Sequence, residues 1–105
     1  MIVEERCYVL RMPYGPQDYL ALYEAEGLAI QRQTLGHLIG YFQTEVGGLN
    51  SVVHLWGYTS FEDRLARRTA LSAIEGWQRY LGRVRPMIES MSNCLLLPTG
   101  FSPIR

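Results

Sequence analysis

Four residues, Gly47, Gly48, Leu49 and Asn50, separate two runs that both read as strands, residues 38–46 and 51–58. Glycine reaches positive φ without steric cost, so this stretch turns the chain back and pairs the two runs as a hairpin. The rest of the chain must be arranged around it. Upstream, residues 2–12 are rich in Val, Ile, Leu, Tyr and Cys and read as a strand, broken by Pro13, Gly15 and Pro16. Pro16 suits the first turn of a helix, where its missing N–H costs nothing. From there to Gly36 the pattern is helical: Leu20, Tyr23, Gly27 and Ile30 fall three and four apart, on one face. A glycine inside that stripe costs about 1 kcal/mol of helix propensity, which argues that Gly27 permits close packing on a sheet. Gly36 fits the position just past the helix end.

Downstream of the hairpin, Ser60 followed by Asp63 resembles a capping box, with Asp in place of Glu. A helix is expected to start near Phe61, with Gly76 as a candidate interruption. Trp77, Tyr80, Leu81, Val84, Ile88 and Met91 continue an apolar helical stripe, which Pro86 kinks or ends. Residues 93–97 read as a fourth strand, stopped by Pro98. The order is therefore β-α-β-β-α-β, the ferredoxin-like α+β arrangement. It implies a four-stranded antiparallel sheet with both helices on one face.

The other face is left uncovered, and strand alternation says what it carries. One parity holds Val3, Glu5, Cys7 and Val9, with Val53, Leu55 and Gly57. The other holds Glu4, Arg6, Tyr8 and Leu10, with Val52, His54, Trp56 and Tyr58. Packing logic assigns the small aliphatic parity to the helices, which puts Tyr8, Leu10, Trp56 and Tyr58 on the open face. A monomer rarely exposes so large an apolar patch. Two such sheets facing each other cover both, so a two-fold homodimer is expected.

The chain is one domain's worth of material, residues 1–105. Ten arginines and no lysine balance ten acidic residues, for a formal net charge of zero. That balance lacks the footprint of a nucleic-acid or membrane-surface binder. No apolar run approaches the ~20 residues needed to span a bilayer, and MIVEERCYVL resembles neither a secretory signal nor an Arg-rich transit peptide. Cys7 and Cys94 form no CxxC pair. Two thiols and two distant histidines make no zinc pattern, so no metal or other cofactor is required. A cytoplasmic setting with free thiols is expected.

The run GGLNSVVHLWGYTSFEDRLARR resembles the NIPSNAP family, most clearly in Asn50, Val53, His54, Leu55 and Trp56, then in Tyr58, Ser60, Asp63, Arg64 and Arg68. Glu4, Arg6 and Tyr8, Gly40, Tyr41 and Phe42, and Trp77 with Arg85 and Pro86 extend the likeness along the chain. The resemblance implies a dimeric α+β barrel, an architecture shared with small monooxygenases and haem-degrading enzymes. It implies no agreed catalytic set. The trafficking and mitophagy roles of eukaryotic members do not carry over to a chain with one domain and no transit segment.

Candidate ligand-pocket residues are Arg6, Tyr8, His54, Trp56, Tyr58, Arg64 and Arg68. His54 is either a proton shuttle or axial ligand, since imidazole titrates near neutral pH, or a hydrogen-bonded interface residue. Arg6 either pairs with Glu4 or holds a ligand carboxylate bidentately. Arg64, Arg67 and Arg68 form either a solvated helix face, with Asp63 and Arg67 at ion-pair spacing, or an anion site. Tyr8, Tyr41, Trp56 and Tyr58 either line an aromatic pocket or pack a dimer. His37 reads as a polar cap after a helix end. Three function classes stay open: a homodimeric small-molecule binder, an oxygenase-like or haem-linked enzyme, and a non-catalytic interaction module. Fold analogy alone supports the enzyme.

Overall fold

The turn at the centre of the sequence closes as its residues require. Gly47 and Asn50 take positive φ, 111° and 53°, between strands β2 (His37–Gln43) and β3 (Ser51–Tyr58). The structure, a computed structural model, describes all residues 1–105. Before the hairpin come β1 (Ile2–Leu10), α1 (Pro16–Leu22), a π-helical turn (Tyr23–Gly27) and α2 (Leu28–Leu35). After it come α3 (Phe61–Ser72), α4 (Glu75–Val84), a 3-10 turn (Arg85–Met87) and β4 (Ile88–Leu96). The sheet order is β2-β3-β1-β4, antiparallel throughout, with the helices packed on one face.

Local chemistry explains most boundaries. Ser60 caps α3, its Oγ accepting from the Asp63 N–H at 3.0 Å. The Asp63 carboxylate reaches one residue further back than a capping box, to the Thr59 N–H at 3.0 Å. Gly36 ends α2 at φ 91°, a conformation that favours glycine.

Several expectations are corrected. The first helical stretch is not one regular helix but is widened by the π turn at residues 23–27. Gly27 lies against another helix rather than the sheet: a Cβ there would stand 3.0 Å from the Tyr80 ring of α4. The second helical stretch breaks at Ala73 and Ile74, and Gly76 sits inside the first turn of α4. β4 starts at Ile88, so Ile88 and Met91 belong to a strand, not to a helical stripe. His37 is the first residue of β2, paired opposite Gly57, and caps nothing.

The main correction concerns the sheet faces. Tyr8, Leu10, Val52, Trp56 and Tyr58 are buried against Tyr19, Tyr23, Leu35, Leu71, Trp77, Tyr80 and Val84 of the helices. The aliphatic parity, with Val9, Val53 and Leu55 half-buried, faces away. The physical reason is area. Each aromatic ring buries far more surface than a valine, and the helices present matching rings that pack edge-on and offset. Tyr8 of β1 meets Tyr19 of α1 edge-on at 6.1 Å, and Tyr23 and Tyr41 lie tilted 4.8 Å apart. Alternation shows that two faces differ; it does not say which one the helices will cover.

Candidate functional site

Swapping the faces carries the polar residues of the same parity into the layer between sheet and helices. Glu4, Arg6 and His54 are buried there, at 0%, 9% and 1% exposure. Burying charge is costly unless it is paired, and Glu4 is paired heavily. Its Oε2 accepts from Arg6 Nη1 at 3.0 Å, Arg64 Nη2 at 2.7 Å and Asn93 Nδ2 at 2.7 Å. These donors come from β1, α3 and β4, so one oxygen joins three elements. Burial alone would raise the Glu4 pKa. The hydrogen bonds from Arg64 and Asn93 and the charges of Arg6 and Arg64 outweigh it and hold the carboxyl at about 2. Arg6 therefore pairs with Glu4 along its own strand, and its Nε donates to Tyr8 Oη at 2.9 Å.

His54 sits beside this cluster. Trp56 Nε1 donates to His54 Nδ1 at 2.8 Å. Tyr41 stacks on the imidazole at 4.4 Å, and Tyr8 meets its edge at 5.0 Å. Burial, then the charges of Arg6 and Arg68, push its pKa down to about 3, with Glu4 opposing. The ring is therefore neutral. Since Nδ1 accepts, the proton sits on Nε2. That N–H is buried and has no partner. A neutral imidazole in this environment argues against a proton shuttle working near neutral pH.

A cavity of about 120 Å³ opens between sheet and helices. Arg6, Tyr8 and His54 line it from the sheet, with Ile88 and Met91 of β4. Tyr19, Gln31, Arg68, Trp77, Tyr80, Leu81 and Val84 line it from the helices, and the exposed Arg85 from the 3-10 turn. No aspartate or glutamate lines it. Arg68 carries a buried, unpartnered Nη1. Burial drives the Tyr19 and Tyr80 hydroxyls upward from their ordinary pKa.

Of the residues singled out in the sequence, Arg6, Tyr8, His54 and Arg68 meet at this cavity. Trp56 supports it by holding His54. Tyr58 is buried in the core with its hydroxyl near the Arg68 guanidinium, and Arg64 is committed to Glu4; neither lines the cavity. The arginine helix is not simply a solvated face: Arg67 Nε bonds Asp63 at 2.9 Å and its Nη1 bonds the Thr34 carbonyl at 3.2 Å, tying α3 to α2. Tyr19, Gln31, Trp77, Tyr80 and Arg85 were not singled out for the site. A signal existed for Gln31, a polar residue four after Gly27 on an otherwise apolar helix face. The aromatic residues read only as core.

A family model described as NIPSNAP matches residues 3–103. The chain is similar to a NIPSNAP family protein of Agrobacterium tumefaciens, at 50% identity over 99% of this chain and 98% of that one, with a TM-score of 0.95. A NIPSNAP-like domain protein of Burkholderia xenovorans is 52% identical over 97% of this chain and 88% of its own, with a TM-score of 0.92. Protein NipSnap homolog 2 of Homo sapiens is 30% identical over 104 residues, 99% of this chain but 35% of that protein. Across the curated relatives this chain spans between 19% and 36% of their length. At 11% identity and a TM-score of 0.64, SnoaB, a cofactor-independent oxygenase of Streptomyces nogalater, shares the fold over 97% of this chain and 96% of its own.

Proposed function

The chain belongs to the NIPSNAP family, and we propose that it works as a cytoplasmic homodimer that binds a small molecule in the cavity between sheet and helices. One observation carries the binding reading: His54, a residue of the cavity lining, is almost wholly buried and its Nε2–H has no partner. A stranded buried donor costs about 1–3 kcal/mol, and a ligand acceptor would recover it. Small-molecule sites combine apolar shape with a few convergent polar groups, and this cavity has that make-up. Homodimerisation is supported by the aliphatic face of Val3, Val9, Val53 and Leu55, which no helix covers. The cytoplasmic setting is supported by two free thiols, Cys7 and Cys94. No helix is long and apolar enough to cross a membrane.

Binding is favoured over oxygenase-like chemistry driven by the protein's own acids and bases. General acid–base catalysis works best with a group near the operating pH. Here His54 is pushed far below neutrality, and Tyr19 and Tyr80 are pushed above their ordinary range. A haem would not fit this cavity: drug-sized pockets run from about 300 Å³, and this one has about 120 Å³.

A thermal-shift screen of small polar and aromatic metabolites tests the reading. A ligand at 100 times its dissociation constant stabilises by about 2.7 kcal/mol. The expected result is a hit that shifts the parent and fails to shift His54→Ala. If no compound shifts the parent, or His54→Ala responds as the parent does, the cavity is only part of the core.

A further inference from the structure

We infer that the cavity selects a monoanionic carboxylate carried on a compact apolar body, an aromatic acid the size of benzoate. This rests on the binding reading above and adds the ligand's charge and shape. The argument begins with an imbalance. Arg6, Arg68 and Arg85 line the cavity, and no acidic side chain does. Glu4 lies behind Arg6, and its two ion pairs are with Arg6 and Arg64, two cations for one anion. Arg68 and Arg85 have no ion-pair partner in the chain, whereas Arg67, Arg79 and Arg83 pair with Asp63, Glu75 and Glu26.

The donors are already oriented. His54 is locked by the Trp56 hydrogen bond and the Tyr41 stack into the tautomer that offers Nε2–H. Arg68 has a buried Nη1 that makes no hydrogen bond, with its guanidinium near the Tyr58 hydroxyl. A carboxylate has two oxygens that accept and none that donates, which suits a wall with three arginines and no acidic side chain. A cation would face three arginines, and a neutral amide would bring no charge and two further N–H donors to a wall already rich in donors. The remaining wall sets the body: Tyr8, Tyr19, Trp77, Tyr80, Leu81 and Val84 are rings and aliphatic groups. An engineered apolar cavity of about 150 Å³ accepts benzene, so a space of this order takes a single ring and not a fused pair. Arg85, exposed at the rim beside Ile88 and Met91, places positive charge where an anion would enter.

Calorimetric titration of the full chain with benzoate, benzamide, naphthalene-2-carboxylate and inorganic phosphate tests this, with the Trp56 indole N–H resonance as the reporter of place. Benzoate is expected to bind and shift that resonance, with benzamide at least about tenfold weaker, the worth of one charge-assisted hydrogen bond. Naphthalene-2-carboxylate and phosphate should bind more weakly still. Arg68→Gln should lose about tenfold for benzoate and leave benzamide unchanged; Arg85→Gln, at the rim, should slow benzoate association. Benzamide binding as tightly as benzoate would overturn the anion assignment and leave the binding reading standing. Phosphate matching benzoate would overturn the apolar body. Binding of none of the four with the Trp56 resonance unmoved overturns the ligand class, and the broader screen then decides the binding reading separately.

Discussion

Glu4 and His54 are two buried titratable residues whose environments both make the fold acid-sensitive, over different windows. The Glu4 carboxyl is held at about 2 against an ordinary 4.5. The unfolded chain therefore takes up this proton first as pH falls. Stability present above about pH 5 is lost progressively down to about pH 2, on the order of 3 kcal/mol. His54 is held at about 3 against an ordinary 6.5, by burial first. Between those values the unfolded state binds a proton that the native state refuses, so stability falls from about pH 7 downward, by on the order of 4–5 kcal/mol. Guanidinium titrations at stepped pH should show both. In His54→Phe the slope between pH 7 and pH 5 should flatten, while stability at pH 7 changes little, because stranding Trp56 Nε1–H is offset by removing the partnerless His54 Nε2–H. Glu4→Gln should lose about 3 kcal/mol at pH 7 and flatten the slope below pH 4.5. An unchanged slope in either variant would refute the assignment for that residue. Much of the cluster could be read in the sequence at this scale: Arg6, Tyr8, His54 and Arg68 stand out as polar or amphipathic groups in apolar patterns. Their three-dimensional partners could not be read. Arg64 reaches Glu4 across 60 positions and Asn93 reaches it across 89, and no local pattern encodes such distances.

At the scale of elements, two glycines test how the helical layer is packed. Gly27 closes the π turn, and a Cβ there would lie 3.0 Å from the Tyr80 ring and 3.1 Å from Tyr23. Both rings are buried and cannot swing aside freely. Gly27→Ala should therefore destabilise by about 1–2 kcal/mol, the overpacking penalty exceeding any gain in helix propensity. Gly82, exposed on α4, would place its Cβ in open space. Gly82→Ala should stabilise by about 0.5–1 kcal/mol. Urea midpoints moving in opposite directions would support this packing; the same sign for both would not. The order of elements was legible because each has a local cause: Ser60 and Asp63 start α3, Gly36 ends α2, and Gly47 and Asn50 turn the hairpin. The extent of β4 was not. Ile88 and Met91 fit the helical period that starts at Trp77, and the pairing that makes them a strand comes from β1, with Leu10 opposite Ile88 and Tyr8 opposite Met91. Tertiary pairing overrode a local period there.

At the scale of the molecule, the proposed homodimer rests on the sheet face away from the helices. It carries Val3, Cys7, Val9, Val53 and Leu55, flanked by a crevice where Leu96, Leu97, Pro98 and Ile104 of the C-terminal segment lie beside Val3 and Leu55. Exposed apolar groups continue outward, with Phe42 at 55% and Leu96 at 43%. The reversed face assignment leaves the case for a second copy intact, because one helical layer still covers only one side. What changes is the chemistry of the contact: mainly aliphatic, with Phe42 at its edge, suited to two sheets stacked about 10 Å apart. An obligate interface of this kind should bury about 2,000 Å² or more in total. Sedimentation at low micromolar concentration should then give twice the chain mass of 12.0 kDa. Leu55 is the informative position. It is half-buried on β3 and stands directly opposite Glu5 on β1. In Leu55→Arg the new guanidinium can reach Glu5, so the monomer keeps its fold. In a dimer the same charge would be sealed between sheets, a cost that two copies bear together. The variant should sediment as a folded monomer with far-UV circular dichroism like the parent's. Cys7, paired opposite Val53 on the same face, should then react with a thiol reagent much faster than in the parent, while both proteins give two thiols when denatured. A parent that sediments at 12.0 kDa, or a Leu55→Arg variant that stays dimeric with Cys7 still protected, would show that this face is not where two copies meet.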